Sequence, residues 1–225
     1  MPEINASSIE DVFLGTQMVS ALIYGEEEIY VRFNTYSFGT PGDFSLTLPD
    51  WVTGYGAVLS GGGGGGVCGN GGNGAHGYGG KGGEIRATWG RMGSSSNKVL
   101  TGKVGVGGAG GTGIDSIYGK PGGDTTLIAH TSTVYTAAGG TSNPSSGMHN
   151  GGRTTGTFGD PYFKYFNMPE GMVYPNGPGG IASGGAGTRG GGGAGGKGGY
   201  FNSYSHGGKG GTGFVDIYVW GWPRH

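Results

Sequence analysis

The sequence predicts an all-β protein: a small N-terminal β-meander, then a β-sandwich whose loops are polyglycine type II helices. Three observations carry that expectation. Short runs rich in β-branched and aromatic residues recur between turn residues, and no window of ten or more shows a helical period. Glycine supplies 61 of the 225 residues, roughly four times ordinary usage. The glycines also keep a three-residue beat: positions 71, 74, 77, 80 and 83 are all Gly, as are 184, 187, 190, 193, 196 and 199. Three is the repeat of the polyproline II helix, which makes no internal hydrogen bonds.

Taken in order, the strands begin with three runs, Asp11 to Leu14, Val19 to Tyr24 and Glu28 to Phe33, separated by turns at Gly15-Thr16-Gln17 and Gly25-Glu26-Glu27. They form the expected meander, a unit of residues 1–34 assigned to attachment or oligomerisation. Residues 35–225 form the second unit. There, a Pro41-Gly42 turn separates two short strands, the second with Phe44, Leu46 and Leu48 alternating against Asp43, Ser45 and Thr47. Further strands are expected at 54–60, 84–89, 98–104, 125–130, 134–138 and 214–220, each entering or leaving a glycine block. In the last, Val215, Ile217 and Val219 share one face and Phe214, Asp216, Tyr218 and Trp220 the other, the pattern of a half-buried strand.

Collagen would place proline throughout the repeats, and this chain has ten prolines, few of them there. A flexible linker would not return again and again to strands of one sheet system. Polyglycine II helices laid side by side satisfy both observations, because bare backbones approach closely and bond across to each other. Along 105–113 the order Gly-Val-Gly-Gly-Ala-Gly-Gly-Thr-Gly puts Val106, Ala109 and Thr112 on one edge. His76, Tyr78, Lys81, Arg189, Lys197 and Lys209 are expected on outer edges of such helices.

Composition narrows the function. With 13 Tyr, 9 Phe and 4 Trp, the chain has the apolar content of a folded protein rather than a disordered tail. The lone Cys68 excludes an intrachain disulfide framework. The N-terminus lacks a basic region followed by an apolar run, and no stretch approaches the roughly 20 apolar residues of a membrane span, so neither a signal peptide nor a span is expected. Residues 1–50 hold eight acids against Arg32 alone, and the remainder holds twelve bases against six acids. That asymmetry fits solvated faces of unlike sign, or an acidic attachment region followed by a basic one that faces an anionic surface.

Enzyme motifs fail individually. Gly80-Lys81 and Gly196-Lys197 are followed by glycine, so the Ser or Thr that a phosphate loop places on magnesium is missing. His76, His130, His149, His206 and His225 have no metal-ligand spacing. No catalytic residue, metal or cofactor is expected. Only Arg153 and Arg189 lie in or beside glycine blocks, too few for an arginine-glycine array, and nucleic-acid binding is not expected either. Aromatic clusters are the candidate contact surfaces. Residues 157–180 gather Phe158, Tyr162, Phe163, Tyr165, Phe166, Met168, Met172 and Tyr174, suited to stacking on sugars or on a partner protein, or to capping the sandwich or an interface between subunits. Tyr200, Phe201 and Tyr204, with His206, follow the longest glycine block and fit either its far tip or a core cap.

In this order, DVFLGTQMVSALIYGEEEIYVRF, FGTPGDFSLTLPDWVTGYGAVLSGGGGGG, KVGVGGAGG, VYTAAGG and GGKGGTGFVDIYVWGW, the chain resembles the glycine-rich minor tail proteins of bacteriophages infecting actinobacteria. More distantly it is similar to the tail-fibre tip adhesins of T-even-like phages, with their stacked polyglycine II bundle and exposed host-binding loops, although it lacks their N-terminal fibre-binding sequence. The resemblance implies a virion protein at the tail tip, homo-oligomeric and most simply trimeric, whose partners are other phage tail proteins and a bacterial cell-envelope glycan. A purely architectural tail subunit and a polyglycine II ice-binding protein are the alternatives, the second weakened by Tyr, Lys and Arg that interrupt its rows of small residues.

Overall fold

The computed structural model describes residues 13–14, 17–18, 23–24, 27–28, 32–93, 97–113, 118–142, 151–152, 155–157, 173–175, 177–181 and 184–221. Strands, turns and extended backbone make up this set, with no α-helix among the described residues. Four two-residue strands come first: β1 (Phe13–Leu14), β2 (Gln17–Met18), β3 (Ile23–Tyr24) and β4 (Glu27–Glu28). β1 pairs with β2 and β3 with β4, so two separate two-stranded pairs stand where one three-stranded meander was expected, and Gln17 and Glu27, expected in turns, lie in strands. The turn glycines Gly15 and Gly25 fall outside the described residues.

Ten strands follow: β5 (Arg32–Phe38), β6 (Gly42–Thr47), β7 (Gly54–Ser60), β8 (Ile85–Arg91), β9 (Val99–Val104), β10 (Thr125–Ile128), β11 (Val134–Ala137), β12 (Thr155–Thr157), β13 (Val173–Pro175) and β14 (Phe214–Gly221). Two antiparallel four-stranded sheets form, ordered β11-β10-β9-β6 and β5-β14-β7-β8, and β12 pairs with β13. β5 and β6 flank the Pro41-Gly42 turn yet enter different sheets, β5 on β14 and β6 on β9. The chain therefore crosses the sandwich there instead of closing a hairpin.

Between the sheets lies one apolar core. Leu100, Val104, Leu127 and Ala137 from the first sheet meet Tyr55, Ala57, Leu59, Val215, Ile217 and Val219 from the second. Each fully buried aliphatic side chain contributes roughly 1.5–3 kcal/mol. The alternation expected for β6 holds, with its apolar residues inward. One side of the sandwich is closed by side chains: Arg86 Nη1 donates to the Thr136 carbonyl at 3.2 Å and its guanidinium lies over Tyr135, while Glu84 Oε2 accepts from the Ala138 amide at 3.0 Å.

Glycine inside the strands serves the aromatics opposite it. Trp220 pairs with Gly54, Tyr55 with Gly90 and Phe44 with Gly102, and in each case a Cβ on the glycine would overlap the ring. The ring lies across the bare backbone of the neighbouring strand, the arrangement by which an aromatic shields a strand glycine. β14 departs from expectation in being buried on both faces, not one. Part of the reason is Arg189, whose Nη2 reaches Asp216 Oδ2 at 2.7 Å and whose guanidinium stacks 4.1 Å from the Phe214 ring centroid.

Beyond one end of the sandwich the glycine blocks form a second body. Ten extended segments run side by side among the described residues: g1 (61–70), g2 (74–84), g3 (105–113), g4 (118–124), g5 (138–142), g6 (151–152), g7 (177–181), g8 (184–188), g9 (190–199) and g10 (203–213). Their hydrogen bonds reveal the three-fold screw. In g1 the amides of residues 61, 64 and 67 donate to Glu84, Lys81 and Tyr78 of g2; those of 62 and 65 to Gly123 and Lys120 of g4; those of 63, 66 and 69 to Gly211, Gly208 and Ser205 of g10. Carbonyls of g1 accept from g5, g3 and g9. So g1 has six neighbours, and g9 likewise touches g1, g2, g6, g7, g8 and g10. Connecting all pairs gives a hexagonal array in three rows: g5-g2-g6, then g4-g1-g9-g7, then g3-g10-g8. This is the expected polyglycine II bundle.

Interior positions that face a neighbour's backbone closely are glycine. Positions 61 and 64 of g1 face g5, where a Cβ at Gly61 or Gly64 would overlap the carbonyls of Ala138 or Thr141. Positions 62, 65 and 68 face g3, and the Cys68 Sγ donates to the Gly113 carbonyl at 3.1 Å. On the g7 side of g9 the order is Gly191, Ala194, Lys197, buried, buried and exposed. On perimeter segments the same period turns side chains outward, and Val106, Ala109 and Thr112, expected on one edge, are all exposed.

Two outcomes test this packing. Gly64→Ala is expected to cost at least about 3 kcal/mol because a whole segment has to shift, whereas Gly39→Ala, with nothing within 4 Å of the added Cβ, should stay within about 0.5 kcal/mol in urea denaturation. Burial, and after it the neighbouring Tyr135, pushes the Tyr55 hydroxyl from 10.0 up to about 12. The fold thus favours the neutral phenol, so this contribution to stability is complete below about pH 10 and is lost as pH climbs toward about 12. Denaturation at stepped alkaline pH should show that decline, flattened in Tyr55→Phe.

Candidate functional site at the bundle apex

Segment g1 leaves β7 at its first residue and g9 starts beside Ser60 at the base of the bundle, and both run outward, so their far ends define the apex. At ~3.1 Å per residue, the ten residues of g1 carry the chain about 30 Å beyond Ser60. Two turns close this end. Between g1 and g2, Asn70 Oδ1 accepts from the amides of Gly72 and Asn73 at 2.7 and 3.0 Å, and Asn73 Oδ1 accepts from Ala75 at 3.0 Å. Such side-chain bonds are how asparagine shapes a turn. Between g9 and g10, Tyr200 to Ser203 form a four-residue turn closed by the Ser203 amide on the Tyr200 carbonyl at 3.0 Å. The Asn202 amide donates to the Gly71 carbonyl at 3.0 Å and ties the two turns together.

The second turn has two left-handed central residues, Phe201 at φ 56° and Asn202 at φ 62°. Asparagine tolerates this region, but for phenylalanine it costs roughly 1–2 kcal/mol. Phe201 is also wholly exposed, at 101%, and Tyr200 is 62% exposed. Tyr200 stands beside Gly74, Tyr204 stacks on His206 with centroids 5.9 Å apart, and His76 Nδ1 accepts from the Gly198 amide at 3.0 Å. An apolar ring held outward in a strained conformation gains nothing for the fold, and this marks the apex as the candidate site.

The expected contact residues divide sharply. Tyr200, Phe201 and Tyr204 come together at the far tip of the bundle, outside the apolar core. Tyr174 lies in the backbone of β13. Phe158, Tyr162, Phe163, Tyr165, Phe166, Met168 and Met172 fall outside the described residues. Asn70, Asn73 and Asn202 join the site unanticipated; the Asn-Gly-Gly-Asn run at 70–73 is a turn signal that marks it. Of the residues expected on outer edges, His76, Tyr78, Lys81, Lys197 and Lys209 are exposed. Arg189 differs. It occupies the base turn between g8 and g9 at φ 39°, and its guanidinium folds back onto β14 to pair with Asp216.

No group of three or more His, Cys, Asp or Glu able to hold a metal ion occurs among the described residues. Nor does any helix there have the length and apolarity to cross a membrane. A model of a glycine-rich domain matches residues 39–191, well over half of the chain, and the protein belongs to that glycine-rich domain family. No curated protein matches it.

The strain at the apex predicts an inverted mutational response. Phe201→Asn should raise stability by about 1 kcal/mol, since asparagine accepts the left-handed region. A shift of the denaturation midpoint to higher urea in Phe201→Asn checks it, and a shift to lower urea would show that the ring supports the fold.

Proposed function

We propose that this chain is a non-enzymatic structural and adhesive protein of a bacteriophage tail tip. In this reading, residues 1–34 attach it to other tail proteins or to sister copies in a trimer. The sandwich is the platform and the polyglycine bundle is a spacer that presents its apex to the bacterial envelope. The observation that carries the reading is the placement of a wholly exposed, strained Phe201 at the end of the bundle farthest from the sandwich. A hydrogen-bonded array of backbone is stiff, and a stiff spacer presents a contact without the entropy cost of ordering a loop on binding. The succession of glycine blocks and strands shared with minor tail proteins of actinobacteria-infecting phages supports the same reading.

Binding of fluorescently labelled full-length protein to actinobacterial cells tests it. Saturable binding is expected, with the Tyr200→Ser/Phe201→Ser double variant weakened roughly tenfold, as for loss of a contact hot spot. Failure of the intact protein to bind across a panel of such cells would sink the adhesive role and leave the architectural one.

A further inference from the structure

Charge on the bundle is one-sided along its axis. Its two described carboxylates, Glu84 and Asp124, stand at the sandwich end, where each accepts a backbone amide, from Ala138 and Gly139. Farther out, the charged groups among the described residues are all lysines: Lys81 on g2, Lys120 on g4, Lys209 on g10 and Lys197 on g9, each exposed. Three of them share one height. The carbonyls of Lys81 and Lys120 accept from consecutive g1 amides, Gly64 and Gly65, and Gly208, next to Lys209, accepts from Gly66. They form a belt around the bundle, and Lys197 lies between that belt and the apex, three residues before Tyr200.

From this arrangement we infer that the apex and the cationic flank together form a binding surface for an anionic polysaccharide of the cell surface, its sugar rings carrying carboxylate or phosphate groups. The inference rests on the adhesive reading above and adds the class of ligand. Phe201 and Tyr200 offer flat apolar faces to the C–H face of a sugar, and the exposed turn residues Asn73 and Asn202 stand beside them with amides suited to hydroxyls. Belt to apex is about 15–20 Å at ~3.1 Å per residue. A small ligand cannot touch both ends of that distance, so the ligand is a polymer. Lysine in exposed positions supplies attraction that acts over roughly a Debye length, ~8–10 Å at moderate salt, which bridges the gap from Lys197 to the aromatic turn. A nucleic-acid strand fits less well, because successive base stacking calls for a row of rings and for arginine. The one described bundle arginine, Arg189, is engaged with Asp216.

Retention of the full-length protein on immobilised polygalacturonate, hyaluronate and a phosphomannan tests the inference, with neutral dextran, polyphosphate and oligo-dT as comparisons. At least one anionic polysaccharide should bind in preference to all three comparisons, and its affinity should fall steeply between low and moderate salt. Phe201→Ser and Lys197→Gln/Lys209→Gln, all at exposed positions, should each weaken it roughly tenfold, with thermal melts unchanged or, for Phe201→Ser, raised. Equal binding to polyphosphate or oligo-dT, indifference to Phe201→Ser, or no retention on any of the anionic polysaccharides would overturn it. If labelled protein still binds cells and the polysaccharides neither retain nor displace it, the adhesive reading stands and this inference alone falls. If neither cells nor polysaccharides are bound, both fall.

Discussion

A polyglycine II helix bonds none of its own peptide groups, so every buried amide and carbonyl in it has to meet a group on another segment. The rest of this structure follows from that requirement. One segment alone, or two, would leave buried backbone unsatisfied at a cost of about 1–3 kcal/mol per group. A segment surrounded on six sides can pair in every direction, and among the described segments g1 and g9 are so surrounded. Such close approach leaves no space for a Cβ: at Gly63 it would overlap Gly191, at Gly65 Ala109 and at Gly66 Ala194. Glycine pays an unusual entropy to be ordered, and the array returns it as hydrogen bonds that no other residue could make at these distances.

The sandwich and the array depend on each other. β7 runs directly into g1 and g10 runs directly into β14, so the two central strands of one sheet connect to a segment of the bundle interior and to one of its third row. Register in the sheet thereby sets register in the array. Arg189 makes a further tie, from the base turn of g8 and g9 to the buried Asp216 on β14. A charge buried in a sheet face persists only when paired, and here the pairing holds the second interior segment against the strand that follows it.

Rigidity at the base gives the apex its character. The turns at 70–73 and 200–203 are joined through Asn202 and Gly71, and both are anchored on segments with no slack. A left-handed phenylalanine survives there because the flanking segments dictate where the turn begins and ends. The ring that results points away from the protein, above a flank whose described charges are lysines. Cohesion thus resides in the backbone of the bundle, and its side chains are left for the outer surface.

Much of this was legible in the residues. The three-residue beat identified polyglycine II helices because the screw symmetry writes itself into the sequence, and β7 was legible to the residue because β-branched and apolar residues end abruptly at glycine runs. The place of Tyr200, Phe201 and Tyr204 after the longest block left two positions open, the far tip and a core cap, and the structure has the tip. Other features were not legible. Nothing local distinguishes Arg189 from the other exposed cations, and its ion pair depends on Asp216, 27 residues away. The burial of both faces of β14 and the separation of β5 from β6 into different sheets also depend on distant partners. The chain by itself determined that the loops would be bare, extended and sided, since those are properties of glycine spacing. Which segments neighbour which, and hence the three rows, the two interior helices and the shared height of three lysines, was decided only in the tertiary structure, because backbone amides and carbonyls are chemically alike in every segment and only three-dimensional packing selects their partners.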